Sequence, residues 1–138
     1  MYKNKLLSPP IVYLKGEEMT RYTMDLFLKK CIKPYIDIKN WEFYDLSCKN
    51  RDKTNDSVLK NAILRGKEIR SIFKEPTITP TEIQKNTLEL KNNLMSPNGL
   101  MRTEWNGFTI SRDTIHIDGV ELGYKNPVFF ERHAIGGE

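Results

Sequence analysis

The run Ile11-Val12-Tyr13-Leu14-Lys15-Gly16-Glu17-Glu18-Met19-Thr20-Arg21 decides the fold of this chain. Ile11 to Leu14 is a short apolar stretch suited to a buried strand, and Gly16 turns it into an amphipathic helix. The helix is expected from Glu17 to about Ile32. Met19, Tyr22, Leu26 and Phe27 recur at helical spacing, Glu17 and Glu18 stand where a helix N-terminus favours anions, and Lys29 and Lys30 fall in its last turns. Pro34 ends it.

Beyond Pro34, Ile36, Ile38, Trp41 and Phe43 alternate with polar residues, which predicts a second strand over Tyr35 to Tyr44 with a break near Asn40 and then a polar loop. Asn55 or Asp56 caps a second helix whose stripe is Val58, Leu59, Ala62 and Ile63. Arg70 to Phe73 reads as a short strand. Thr79-Pro80-Thr81-Glu82 carries the pattern of a capped start, with Thr79 as cap and Pro80 at the first helical position, for a helix reaching about Leu94. Ser96-Pro97-Asn98-Gly99 then makes a turn. Past Arg102 the character changes. Phe108-Thr109-Ile110, Thr114 to Ile117, Val120 to Leu122 and Pro127 to Phe130 are strand-like, with Asp118-Gly119 as a hairpin signal. Strand, helix, strand, helix, strand, helix and an all-strand tail predict a three-layer α/β unit with a β-rich C-terminal extension.

The bulk properties narrow the function classes. A chain of 138 residues can bury roughly two-thirds of its unfolded surface, enough for one modest core. Mean hydropathy of −0.56 and 29% charged residues suit a soluble globular chain, and no apolar run approaches the roughly 18 residues of a membrane span. The start offers two consecutive leucines and no small-residue cleavage site, so an intracellular location, cytoplasmic or mitochondrial, is expected. Net charge is +4 and the pI about 9.0, yet Lys29-Lys30 is the sole basic doublet, and acidic residues are spread among the basic ones. No nucleic-acid partner is expected. Cys31 and Cys48 lack CxxC spacing, and two histidines are too few for a histidine metal site.

Five segments carry a family likeness: Gly16-Glu17-Glu18-Met19-Thr20-Arg21, Asn50-Arg51-Asp52-Lys53-Thr54-Asn55-Asp56, Thr77-Ile78-Thr79-Pro80, Met95-Ser96-Pro97-Asn98-Gly99-Leu100-Met101-Arg102 and Arg132-His133-Ala134. Together they resemble the N-terminal third of the eukaryotic-type NADP-dependent isocitrate dehydrogenases. The resemblance implies part of the isocitrate/isopropylmalate dehydrogenase-like large domain over residues 1–102, and over 103–138 a β extension resembling the start of the small domain. It implies a clamp for the carboxylates of isocitrate at Ser96, Asn98, Arg102, Arg112 and Arg132, with Thr77 beside it. Lys74, Thr77, Ile78, Thr79 and Asn98 would hold the nicotinamide cofactor, NADP in that family.

Arginine suits such a clamp because its planar fork grips a carboxylate with two parallel hydrogen bonds. The chain has 15 Lys against 7 Arg, yet Arg stands at all three clamp positions. Departures from the family weaken the site. Gln84 replaces a cofactor-holding Arg, so weaker NADP binding is expected. Glu17 stands for an Asp and Glu131 for a Gly, and the Arg102 to Arg112 spacing is one residue longer. The family's proton-transfer Tyr, its Lys from a neighbouring subunit and its magnesium- or manganese-binding Asp cluster belong to positions past Gly136-Gly137-Glu138. No catalytic residue or metal ligand is therefore assigned, and no turnover is expected from these residues alone.

Three readings are open. One is a piece of an NADP-dependent isocitrate dehydrogenase of the tricarboxylic acid cycle; the second is a catalytically dead relic serving as a structural or regulatory subunit; the third is a small-anion binder sensing tricarboxylates. Exposed strand edges and apolar helix faces would call for a protein partner or a homo-oligomer.

Overall fold

The computed structural model describes residues 5–107, 110–121 and 123–132. In chain order these form β1 (Leu6–Leu7), β2 (Val12–Lys15), α1 (Glu18–Phe27), β3 (Ile36–Asp37), β4 (Glu42–Asp45), α2 (Cys48–Lys53), α3 (Ser57–Ile69), β5 (Ile72–Lys74), α4 (Glu82–Thr87), α5 (Pro97–Glu104), β6 (Ile110–Asp113) and β7 (Phe129–Arg132). The fold is mixed α/β, as the sequence order predicts. The chain divides into two compact units, Met1–Asn98 and Gly99–Glu138.

In the first unit β2 is the central strand of a parallel sheet ordered β4-β2-β5, with Tyr13 opposite Phe43 on one side and Phe73 on the other. Right-handed crossovers from β2 to β4 and from β4 back to β5 run in opposite senses across the sheet, so they place α1 and α3 on opposite faces. On the α3 face Val12 and Leu14 are buried with Leu59, Ala62 and Ile63. Each of these valine, leucine and isoleucine side chains contributes about 1.5–3 kcal/mol of burial free energy. The other face is aromatic: Tyr13 stacks on Phe73 at a ring separation of 5.1 Å and on Trp41 at 5.8 Å, with Phe43 tilted against it at 5.1 Å. The predicted break near Asn40 is present as a turn, and β3 leaves to pair with β1 in a separate two-stranded parallel ladder.

Several local expectations are corrected. The first helix is regular only to Phe27 and widens into a π-helical turn over Leu28–Ile32. Its apolar stripe is turned outward, with Met19 87% and Tyr22 74% exposed. The side facing the sheet carries Arg21, Asp25 and Leu28 instead, because Lys15 on β2 draws in Asp25 at 2.9 Å and Asp45 on β4 draws in Arg21. The polar loop after β4 holds the six-residue α2. Asp56 occupies the cap position of α3 without capping it, since its carboxylate is taken by Arg51. Asn55 and Asp56 both adopt left-handed backbone, which short polar side chains tolerate.

The cap of α4 is Thr81, two residues past Thr79. Thr81 and Gln84 form a reciprocal capping box, with Gln84 N–H donating to Thr81 Oγ1 at 3.3 Å and Thr81 N–H to Gln84 Oε1 at 3.0 Å. The helix ends at Thr87, not Leu94, where Glu89 takes a positive φ. Leu90 and Leu94 come from the irregular segment beyond it and pack with Cys48 into a small core against Ile78 and Leu88. Ser96-Pro97-Asn98-Gly99 is a helix start rather than a turn: Pro97 opens α5, a position where its missing N–H costs nothing.

The second unit contains the antiparallel β6/β7 ladder, in register Ile110 to Arg132, Ser111 to Glu131, Arg112 to Phe130 and Asp113 to Phe129. The loop between them is closed by Thr114 N–H to the Val128 carbonyl at 3.1 Å and Val128 N–H to Thr114 Oγ1 at 3.0 Å. Asp118-Gly119 does form a turn, with Gly119 at positive φ and Val120 N–H donating to the Ile117 carbonyl at 3.1 Å. The expected strands flanking it do not form: Thr114 to Ile117 and the described part of Val120 to Leu122 are irregular and largely exposed. Phe108, Thr109, Leu122 and the His133-Ala134 part of the last motif lie outside the described residues.

Gly16 marks a close backbone approach in the first unit. A Cβ there would stand 2.0 Å from the Pro76 carbonyl oxygen, which is backbone and cannot swing away. Gly16→Ala is expected to destabilise the chain by about 1–3 kcal/mol, the range of forced overpacking; urea unfolding monitored by circular dichroism measures it, and a loss below about 0.5 kcal/mol would contradict the geometry.

Candidate functional site

Three parallel strands end on the same edge of the sheet, and the segments leaving them meet there. After β2 come Gly16 and Glu17, after β4 comes Cys48, and after β5 comes the segment Lys74–Thr79. Helices leave on opposite faces around β2, so the crevice beyond the carboxyl ends of β2 and β5 is a topological switch point, where open α/β sheets bind ligands.

The edge is tied by polar bonds. Glu75, 0% exposed, accepts Gly16 N–H on Oε2 at 2.7 Å, and its other oxygen is buried without a partner. Glu17 Oε1 accepts Cys48 N–H at 2.7 Å, and the Cys48 thiol lies 4.0 Å from the Ile78 carbonyl. Arg21 donates to the Gly16 carbonyl at 3.2 Å and to Asp45. Burial and the nearby Glu75 carboxylate hold the Tyr13 hydroxyl protonated well above the ordinary phenol range. Burial, reinforced by Glu17, pushes the Cys48 thiol up to about 12.

Of the expected cofactor residues, Lys74, Thr77, Ile78 and Thr79 lie on the chain leaving β5 at this edge, whereas Asn98 is on α5. Lys74 ends β5 and donates to the Glu75 carbonyl at 2.9 Å. Thr77 is half-buried, and its Oγ1 is enclosed without a protein partner, the kind of hydroxyl a bound polar ligand satisfies. Ile78 packs against Cys48 and Leu94, while Thr79 is exposed and caps nothing. The shared packing on Cys48 also brings the residues just before Ser96 beside Ile78.

Of the clamp residues, Ser96 immediately precedes α5, and Asn98 and Arg102 lie four positions apart on it, on one helical face. All three are half-buried. In the second unit Arg112 is exposed on β6, and the ladder register puts positions 112 and 132 on one face as diagonal neighbours. Among the described residues no group of three or more His, Cys, Asp or Glu is placed to hold a metal ion. No described helix is long and apolar enough to cross a membrane.

Sequence reasoning missed the roles of Glu75, Arg51 and Asp52. Nothing in the sequence marks Glu75, a carboxylate just past a short strand. Asp52 Oδ1 accepts Lys91 N–H at 3.1 Å and Asn92 N–H at 2.8 Å, a contact across 40 residues with no local signature beyond the motif it belongs to.

No family model matches the chain. The mitochondrial NAD(+) isocitrate dehydrogenase 1 of Phaeodactylum tricornutum is 65% identical over 136 residues, covering 99% of this chain and 25% of that protein. The mitochondrial NAD(+) isocitrate dehydrogenase of Ostreococcus tauri is 59% identical over 135 residues, 98% of this chain and 29% of that protein. The crystal structure of isocitrate dehydrogenase from Ostreococcus tauri, in complex with isocitrate and magnesium(II), superposes with a TM-score of 0.78 at 60% identity, over 97% of this chain and 33% of that one. The homologues of this chain are isocitrate dehydrogenases. An NADP isocitrate dehydrogenase of Mycobacterium tuberculosis is more distant, at 38% identity over 96% of this chain and 32% of that protein. The chain thus spans about a quarter to a third of the length of the isocitrate dehydrogenases it matches, and the α/β architecture is that of the matching part of the solved enzyme.

The geometry of this edge leads to two expected outcomes. Cys31 is exposed and Cys48 buried with a thiol held protonated, so a disulfide-exchange reagent at about pH 8 should titrate one thiol in the native chain and the second only after denaturation. Two thiols reacting at once would show that the Cys48 packing is absent. Asp52 is held below the usual carboxylate range, chiefly by the Asn92 backbone N–H and then by that of Lys91. A depressed folded-state value means stabilisation present above the unfolded value of about 3.9 and lost as pH falls through the folded one. Asp52→Asn should therefore flatten the acid limb of melting temperature against pH below about pH 4, leaving its shape above about pH 5 unchanged.

Proposed function

We propose that this chain is part of an isocitrate dehydrogenase and supplies the carboxylate clamp and one wall of the nicotinamide site. The observation that carries this reading is the identity of 60–65% with isocitrate dehydrogenases over nearly the whole chain. The arrangement of the residues agrees with it. Asn98 and Arg102 present an amide and a guanidinium from one turn of α5, with Ser96 just before them, and positions 112 and 132 share one face of the β6/β7 ladder. Isocitrate carries three carboxylates, and arginine forks fix such a ligand in orientation as well as charge. These groups bind and aim the substrate. A divalent metal, as in the solved relative, would polarise the oxygen at the reacting carbon.

The dinucleotide we assign is NAD rather than the NADP that the sequence motifs suggest. Relatives named for NAD are 59–65% identical, and those named for NADP are 38% identical. Gln84, where the resemblance puts a cofactor-holding Arg, is committed to the capping box of α4. Thr77, with its enclosed hydroxyl, and Lys74 stand beside the nicotinamide end. A mitochondrial location and assembly with further polypeptide or a second copy go with this reading; exposed Tyr22, Leu26, Phe43 and Phe73 are surface that such a partner would cover.

The test is to graft residues 1–132 in place of the matching segment of the Ostreococcus tauri enzyme and assay isocitrate-dependent dinucleotide reduction with magnesium. Turnover with a preference for NAD is expected. Arg102→Gln in that graft should raise the isocitrate KM about 10–100-fold, the cost of a lost charge-assisted pair. A folded graft without activity, or an Arg102→Gln variant with unchanged isocitrate KM, would overturn the assignment and leave the catalytically dead subunit as the better reading.

A further inference from the structure

Arg51 has no ligand-binding duty in the function proposed above, yet it is 0% exposed. Its Nε and Nη2 donate to Asp56 Oδ1 at 2.6 Å and Oδ2 at 2.9 Å, and Nη2 also donates to the Met95 carbonyl at 2.8 Å. Its third nitrogen, Nη1, is buried without a partner. Met95 directly precedes Ser96. Met95 as a residue is 65% exposed, so Arg51 grips its backbone and not its packing.

Neighbouring residues of the same motif hold the same stretch. Besides accepting the Lys91 and Asn92 amides, Asp52 Oδ1 accepts Asn92 Nδ2 at 3.0 Å, and Asn55 Oδ1 accepts Asn92 Nδ2 at 3.2 Å. Residues 90–96 form no helix or strand, so neither a helical ladder nor a sheet fixes their course. Leu90 and Leu94 anchor them by burial, which sets depth but not direction. Hydrogen bonds set direction.

We propose that Arg51 is a positioning residue for the substrate clamp: through the Met95 carbonyl it sets where Ser96 and the first turn of α5, with Asn98, stand. The inference rests on Ser96 and Asn98 being substrate contacts. Stability alone is a weak reason for this arrangement. A buried ion pair seldom outperforms apolar side chains of similar volume, and here one guanidinium nitrogen is left unsatisfied as well. An apolar residue could fill the space of Arg51 but could not hold a carbonyl in a fixed direction. Lys keeps the charge but lacks the planar fork, so it cannot engage Asp56 with two bonds and Met95 with a third in the same plane.

The test uses Arg51→Lys, Arg51→Met and Asp52→Asn. In the 138-residue chain, amide hydrogen exchange over residues 91–98 is expected to rise about tenfold in Arg51→Lys, while exchange in β2 and β4 stays within about twofold. In the grafted enzyme the same variant should raise the isocitrate KM about tenfold and leave the dinucleotide KM within about twofold. Asp52 is partly exposed, so Asp52→Asn keeps the test decisive should Arg51→Met fail to fold; it should loosen residues 91–92 and shift the isocitrate KM in the same direction. Loosening of segment and strands together, an unchanged segment, or a loosened segment with unchanged isocitrate KM would each overturn the positioning role. An inactive unsubstituted graft would count against the proposed function alone, because the exchange measurement still judges whether Arg51 holds the segment.

Discussion

The close approach of Gly16 to Pro76 and Glu75 is the constraint on which the rest depends. Parallel strands end level with one another, and the segments leaving them must cross at that edge. With hydrogen in place of a side chain, the β2–α1 turn lets the Pro76 carbonyl pass at a distance no Cβ would tolerate, and the Gly16 N–H is held by Glu75. That packing sets Glu17 where it can accept the Cys48 amide, and Cys48 in turn seats Ile78 and Leu94. One contact thus organises the exits of all three strands and, through them, both the Lys74–Thr79 segment and the approach to Ser96.

Charge does more of the work in the first unit than its size would suggest. Arg21 joins α1 to β4, Lys15 joins β2 to α1, Arg65 joins α3 to Glu42 at 2.9 Å, and Arg51 joins α2 to the α2–α3 turn and the segment before α5. Exposed pairs of this kind contribute little each. Arg51 differs because it is wholly enclosed and reaches a backbone carbonyl, so its removal would alter the direction of a chain segment rather than a surface contact. The matched arginines therefore divide by task. Arg21 and Arg51 shape the scaffold, whereas Arg102, Arg112 and Arg132 belong to the proposed clamp.

Two of the misread elements, the outward stripe of α1 and the run from Leu88 to Leu94, share a cause. The stripe of Met19, Tyr22 and Leu26 has the right period for a buried face, yet the ion pairs of Arg21 and Asp25 turn the opposite side of α1 to the sheet. Thr79-Pro80 has the pattern of a helix start, yet Gln84 completes a capping box only with Thr81. The run from Leu88 to Leu94 keeps helical spacing, but Glu89 takes a left-handed conformation and the leucines reach the Cys48 core from an irregular chain. Local periodicity cannot register a partner that is distant in sequence.

By itself the sequence determined the strand–glycine–helix opening, the order of α and β elements, the break near Asn40, the change of character after Arg102 and the family likeness, because these rest on local periodicity, backbone restrictions and short motifs. Only the tertiary structure decided which face of α1 meets the sheet, that Asp56 serves Arg51 rather than its helix, that Glu75 is buried against Gly16, and that Arg51 and Asp52 grip residues some 40 positions away. Those choices depend on charges and backbone groups meeting across long sequence separations, where the geometry of the folded chain sets which pairs form.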